Sequence, residues 1–126
     1  MAVQRGTTFL MESGKKHHLQ VVLNDPYGIN GEVLIVPVCS VPAPPRDCDG
    51  SCLLAKGDHP FIGHDSYAAY NFSQVVKAAD IDAGLQSNAF ISKAPADDDL
   101  LWRMSAGVLE SDFTPLSMKR FFEDAT

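Results

Sequence analysis

The chain has 126 residues, of which 45% are hydrophobic and 21% are charged. This composition is ordinary for one globular domain and excludes the low hydrophobicity of disordered chains. The formal net charge of −6 argues against electrostatic binding of nucleic acid over a broad surface, which usually needs clustered lysine and arginine. The odd number of cysteines, three, and the lack of an apolar leader or a long apolar run lead us to expect a reduced, cytoplasmic protein without membrane contact.

Short apolar runs separated by turn signals predict a series of β-strands. Residues 19–23 are rich in β-branched side chains and end at a dense turn signal, residues 24–28. Residues 32–41 form an almost continuous apolar run, in which Pro37 indicates an edge strand or a bulge because proline has no N–H for the ladder. The other predicted strands are residues 7–11, 51–55, 66–70 and 75–81.

Two helices are predicted near the C-terminus. The first follows three aspartates, residues 97–99, whose charge suits a helix N-terminus. The second begins at Thr114-Pro115, with the threonine as N-cap and the proline in the first turn. The side chains at helical spacing are Leu100, Leu101, Met104 and Val108 in the first helix, and Met118, Phe121 and Phe122 in the second.

These elements predict a mainly β protein with C-terminal helices, of the α+β class. We expect a single domain, residues 1–126, in which residues 1–81 form a small β-barrel and residues 96–124 form one or two helices packed on it.

Residues 17–23, two histidines followed by a hydrophobic strand, resemble a strand of the MazF/PemK family of toxin endoribonucleases. The resemblance implies an SH3-like barrel, RNA as the substrate, a homodimer and an antitoxin-like protein partner. The family usually carries an Arg-Pro pair before this strand and Ser or Thr at its end. Here Lys16, His17 and His18 precede the strand and Asn24 ends it, so the family's catalytic residues have no counterparts to be carried over.

Residues 56–67 are the candidate site, because they hold two His, two Asp, a Ser and a Tyr among turn-forming Gly and Pro. Metal-independent RNA cleavage needs a base, an acid and a cation near the phosphate, and histidine can serve as the first two. If the loop lies beside the start of the strand at residues 19–23, imidazoles from both could share a cleft. The predicted catalytic residues are His59, His64 and Tyr67, and the predicted substrate-binding residues are Lys16, His17, His18 and Lys56, with Lys15 nearby.

Three alternatives stay open. The histidines of the loop could be turn residues bonded to nearby backbone, with residues 15–18 a solvated hairpin tip. Cys48, Cys52, His59 and His64 could supply two sulfur and two nitrogen ligands to zinc, although we favour a protein without metal or cofactor. The protein could also be a non-catalytic SH3-like interaction module.

Overall fold

The structure, a computed structural model, describes residues 2–13 and 16–126. The strands in this part of the chain are β1 (Thr8–Ser13), β2 (Lys16–Val22), β3 (Glu32–Ser40), β4 (Leu53–Leu54), β5 (Ser66–Ala68), β6 (Gln74–Lys77) and β7 (Ile91–Lys93). The helices are α1 (Ala78–Gln86), between β6 and β7, and α2 (Asp98–Glu110) and α3 (Leu116–Ala125), which follow β7. The α+β class and the C-terminal helices are thereby confirmed.

All of these strands belong to one antiparallel sheet, which is open. The strand order is β4-β5-β3-β2-β1-β7, and β6 pairs with β3. No ladder between described residues joins the outer strands β4 and β7, so the predicted closed barrel is wrong. The physical reason lies in β3, which pairs with β6 through residues 32–35 and with β5 through residues 38–40. The sheet therefore forks at β3, because it continues through β6 from the first part of this strand and through β5 from the last part, and it does not close.

Pro37 lies at this fork. It is paired with Gln20 of β2, and its carbonyl accepts a hydrogen bond from the backbone of Ala69 at 2.9 Å. Pro37 has no N–H to donate, and it lies between the part of β3 that pairs with β6 and the part that pairs with β5. The proline is therefore tolerated in the central strand, and the prediction of an edge strand is wrong.

The core lies on both faces of β3, which explains its continuous apolar run. Leu34, Val36 and Val38 point to the face covered by α2 and α3, whereas Val33 and Ile35 point to the face covered by α1. A strand buried on both faces needs apolar residues at every position.

Helix α2 forms as predicted. The carboxylate of Asp97 caps it by accepting a hydrogen bond from the backbone of Leu100 at 2.8 Å, and the four predicted apolar side chains are all buried. Helix α3 begins at Leu116 after an N-cap at Pro115, so the predicted cap at Thr114 is wrong by one position. The hydroxyl of Thr114 is buried without a hydrogen-bond partner among the described residues.

Residues 75–81 are only partly a strand. Strand β6 ends at Lys77, and α1 starts directly with Ala78. Ala78 and Ile81, one helical turn apart, are both buried against Phe9 and its neighbours, so tertiary packing on the sheet selects the helix here. Strand β7 was not predicted, and it pairs with β1.

The 3₁₀ turn Tyr70–Phe72 between β5 and β6 anchors α2 to the sheet. The hydroxyl of Tyr70, which is fully buried, donates a hydrogen bond to the carbonyl of Met104 at 2.7 Å. Gly107 leaves the space for this ring, since a Cβ there would lie 2.0 Å from the Tyr70 hydroxyl. No helix in the described part of the chain has the length and hydrophobicity that crossing a membrane would require.

Candidate active site

A cavity of about 340 Å³ opens where β2 begins and β3 ends, and the loop before β5 forms its outer wall. Leu19, Val38 and Ile62 form its apolar floor. Its remaining lining residues are Lys16, His17, His18, Cys39, Ser40, Phe61, His64 and Ser66. The cavity is therefore lined by imidazoles from both predicted sources, His17 and His18 from the early strand and His64 from the central loop.

His64 is held by a specific contact. Its Nε2 lies 2.7 Å from the hydroxyl of Ser40, the last residue of β3, in hydrogen-bonding geometry. Ser66, which is paired with Ser40 in the sheet, donates its hydroxyl to the carbonyl of His64 at 3.0 Å. The ring and the backbone of His64 are thus both tied to the sheet, while the side chain stays exposed. A held but accessible imidazole suits proton transfer.

Three basic side chains reach the cavity from the start of β2. Lys16 and His17 are exposed, and His18 is half-buried. Leu19 pairs with Val38, so the residues preceding Leu19 lie beside the end of β3, where Ser40 stands. Lys15 lies outside the described residues.

Cys39 is a cavity residue that the sequence did not single out. Burial raises the pKa of its thiol, and the nearby charge of Lys16 lowers that pKa only in part. The thiol is therefore protonated at neutral pH, which makes it a weak nucleophile.

His59 does not line this cavity. It is 3% exposed, and its Nδ1 accepts a hydrogen bond from the backbone of Phe61 at 3.0 Å. Its Nε2 consequently carries the proton and donates to the carbonyl of Ala94 at 2.6 Å. Both ring nitrogens are hydrogen-bonded to backbone groups, so His59 links the loop to the segment before α2.

The start of the loop is fixed in a similar way. Asp58 forms an ion pair with Arg103 of α2 at 2.5 Å, and its other oxygen accepts a hydrogen bond from the backbone of Ala55 at 2.8 Å. Lys56 is exposed beside this anchor and is not among the residues that line the cavity. The loop thus divides into an anchored half, residues 55–59, and a half that faces the cavity, residues 61–66.

Tyr67 lines a different cleft. Tyr67 lies on β5, and this cleft, which has a volume of about 220 Å³, is also lined by Cys48, Asp49 and Phe113. Burial raises the pKa of its phenol, and neighbouring acidic groups, with Cys39 first, add to the rise. Tyr67 is therefore separate from His64 and is neutral at pH 7.

The proposed zinc ligands are not gathered at one point. His64 is bonded to Ser40 and His59 to Ala94. Within residues 2–13 and 16–126, no group of three or more His, Cys, Asp and Glu side chains has the arrangement of a metal site.

Nothing in the sequence marked Ser40 or Cys39 as a site residue, and Ser66 was counted within the candidate stretch 56–67 without a role. Each lies at a strand end, and only the register of β3 with β5 brings them together around His64. Comparison with models of known protein families gave no match, and comparison with curated proteins also gave none.

Proposed function

We propose that the chain is a MazF/PemK-like toxin that binds RNA and cleaves its phosphodiesters without a metal at the cavity beside His64. The observation that carries the proposal is that Lys16, His17 and His18 from β2 surround the same cavity as His64 from the loop. One primary amine and three imidazoles in one place are the groups that this chemistry requires.

The charge of the cavity supports an anionic ligand. The whole chain has a formal net charge of −6, yet the described residues that line this cavity include one lysine, three histidines and no carboxylate. Local charge of one sign in a cleft raises the concentration of an oppositely charged ligand there. A phosphate can therefore enter this cavity although most of the surface is acidic.

The reaction assigns one role to each of three groups. His64 removes the proton of the ribose 2′-hydroxyl, whose oxygen attacks the adjacent phosphorus. The bond from phosphorus to the 5′-oxygen breaks, and His17 donates a proton to that oxygen. Lys16 faces the phosphate oxygens as their charge grows. The products are a 2′,3′-cyclic phosphate and a 5′-hydroxyl, so atoms and protons balance without an oxidant or a cofactor.

The test is incubation of the purified chain with a pool of fluorescent RNA oligonucleotides in EDTA, with the chain in excess. The proposal expects cleavage products that end in a 2′,3′-cyclic phosphate. A matched pool with 2′-O-methyl riboses should remain intact because the nucleophile is blocked. RNA that stays whole, or 2′-O-methyl RNA that is cut equally, would overturn the proposal.

A non-catalytic interaction protein is the second candidate, and exposed apolar side chains on α2 favour it. Trp102 is 74% exposed, and Leu109, seven residues further along the same helix face, is also exposed. Phe113, three residues beyond the end of the helix, is also exposed. Exposed aromatic side chains of this kind are common anchors of protein interfaces.

Sedimentation velocity tests the second candidate in its homodimer form. In a chain that cuts no RNA, a homodimer that dissociates at least tenfold more readily in the Trp102→Ser variant, and not in His64→Ala, would support it. A monomer at all concentrations would count against it.

A further inference from the structure

Phe61 is an exposed aromatic residue in the wall of the cavity that His64 lines. It is 44% exposed, whereas the next residue, Ile62, is buried in the core. Its backbone N–H donates a hydrogen bond to Nδ1 of His59 at 3.0 Å, and the N–H of Ile62 donates to the carbonyl of His59 at 2.9 Å. The ring is therefore presented at the cavity by a backbone segment that is already fixed.

Lys93, the last residue of β7, holds the ring of Phe61 from one side. Its Nζ lies 5.5 Å from the ring centroid, which is a cation–π distance. Lys93 is not among the described residues that line the cavity, so the ring of Phe61 stands between this lysine and the cavity. The lysine thereby adds a positive charge behind the ring.

The combination of an accessible ring and cations is typical of sites for unpaired nucleic acid. In such sites a base stacks on the aromatic side chain while basic groups follow the phosphates. Lys16, His17 and His64 line the same cavity as Phe61, and no carboxylate is among the described residues of the lining. This lining favours a polyanion over a protein partner as the occupant.

The size of the cavity limits what can reach the ring. Its volume of about 340 Å³ is near the lower end of the usual range for ligand sites, about 300–1,000 Å³. One nucleotide fits this space and a duplex does not. A base in a duplex is also stacked between its neighbours, so it cannot cover the ring unless it leaves the helix.

We propose that Phe61 is the stacking platform for an unpaired base beside the cleaved phosphate, and that the substrate is therefore single-stranded RNA. Phe61 and His64 are three residues apart and line one cavity, so the base on the ring and the phosphate at His64 belong to the same or adjacent nucleotides. This inference rests on the proposed RNA cleavage and names the form of RNA that it takes. Stacking accepts every base, so the site recognises the unpaired state more than the sequence.

The binding test uses a fluorescent oligonucleotide with 2′-fluoro riboses, which lacks the attacking 2′-hydroxyl. Binding is thereby measured apart from cleavage. Fluorescence anisotropy compares the single strand, of a sequence that does not pair with itself, with the same strand annealed to its complement. We expect the single strand to bind at least about tenfold more tightly. A duplex that binds equally or better, or a chain that binds neither form, would overturn the inference.

Substitutions of Phe61 test the ring itself. Phe61→Leu keeps an apolar side chain but removes the ring, and it should weaken single-strand binding about 5- to 100-fold. Phe61→Trp should restore the binding. Phe72→Leu is the matched control, because Phe72 is 59% exposed but lines a different cavity with Gln20, which points to the opposite face of the sheet from Leu19. Phe72→Leu should bind as the unaltered chain does.

The subsite and the cleavage activity fail in distinguishable ways. If Phe61→Leu binds the single strand as well as the unaltered chain, or if Phe72→Leu weakens binding equally, the inference is overturned, and an unaltered chain that still cuts RNA leaves the proposed activity standing. If binding of the single strand depends on the Phe61 ring in a chain that cuts no RNA, the subsite is supported and the activity is overturned.

Discussion

The hydroxyl of Ser40 lies 2.7 Å from Nε2 of His64, although the two residues are 24 positions apart in sequence. This bond ties the end of the central strand to the half of the loop that faces the cavity. In the proposed reaction Ser40 is a positioning residue, because it orients the imidazole and does not attack the substrate.

Ser40→Ala should slow RNA cleavage roughly 2- to 10-fold, since one orienting hydrogen bond contributes about 0.5–1.5 kcal/mol. The measurement is the single-turnover rate, with Ser92→Ala, an exposed serine of β7, as the control. Complete loss of activity together with covalent labelling of Ser40 by a fluorophosphonate would instead make the serine a nucleophile.

Two lysines provide a matched pair. Lys16 lines the cavity and Lys56 does not, although both are exposed and carry the same charge. Lys16→Gln should weaken RNA binding and lower the slope of log affinity against log salt by about 0.7–1, whereas Lys56→Gln should change neither. Fluorescence anisotropy at several salt concentrations measures both. Equal effects of the two substitutions would mean that the cavity does not select the phosphate.

His59→Ala should destabilise the fold without removing activity. The substitution leaves the backbone N–H of Phe61 and the carbonyl of Ala94 without their partners, which should cost about 2–3 kcal/mol of unfolding free energy. Urea denaturation measures this cost, and His17→Ala, at an exposed position, should stay within about 0.5 kcal/mol of the unaltered chain. If His59→Ala kept its stability but lost RNA cleavage, the result would contradict this prediction and indicate that His59 is a catalytic residue.

Stability should fall in alkaline solution because of Tyr70. Burial raises the pKa of its phenol well above the ordinary value, and the nearby Cys52 adds to the rise. The unfolded chain therefore releases this proton first. The contribution of Tyr70 is complete below about pH 10 and is lost above it, by about 1.4 kcal/mol per pH unit.

Urea titrations at pH 8 and pH 11 check this dependence. Tyr70→Phe loses the hydrogen bond to Met104 at both pH values, but it should show a smaller loss between them. If Tyr70→Phe and the unaltered chain lost the same unfolding free energy between pH 8 and pH 11, the pH dependence would come from other groups, such as Cys52, whose pKa is also raised by burial.

Local signals in the sequence were enough to predict part of the fold. The aspartate cap and the apolar spacing of α2 are both local features, and the structure contains them. The apolar run of β3 likewise marks a buried strand. The fork of the sheet at Pro37 and the switch from β6 to α1 at Ala78 depend on long-range pairing and packing, which no short pattern encodes.

The candidate site shows the same limit. His59 and His64 look alike in sequence, since each stands beside an aspartate in a glycine- and proline-rich loop. Only the distant carbonyl of Ala94 makes the first a buried link, and only the hydroxyl of Ser40 makes the second a held, exposed base. Ser40 itself gave no signal, because an exposed serine at a strand end is ordinary.

The most direct measurement is the initial rate of RNA cleavage by His64→Ala relative to the unaltered chain, in EDTA, with circular dichroism to show that both are folded. The side chain of His64 is exposed, so the substitution should leave the fold intact. The proposed role predicts a rate reduced at least about 100-fold, the usual contribution of a general base. A rate within experimental error of the unaltered chain would contradict it.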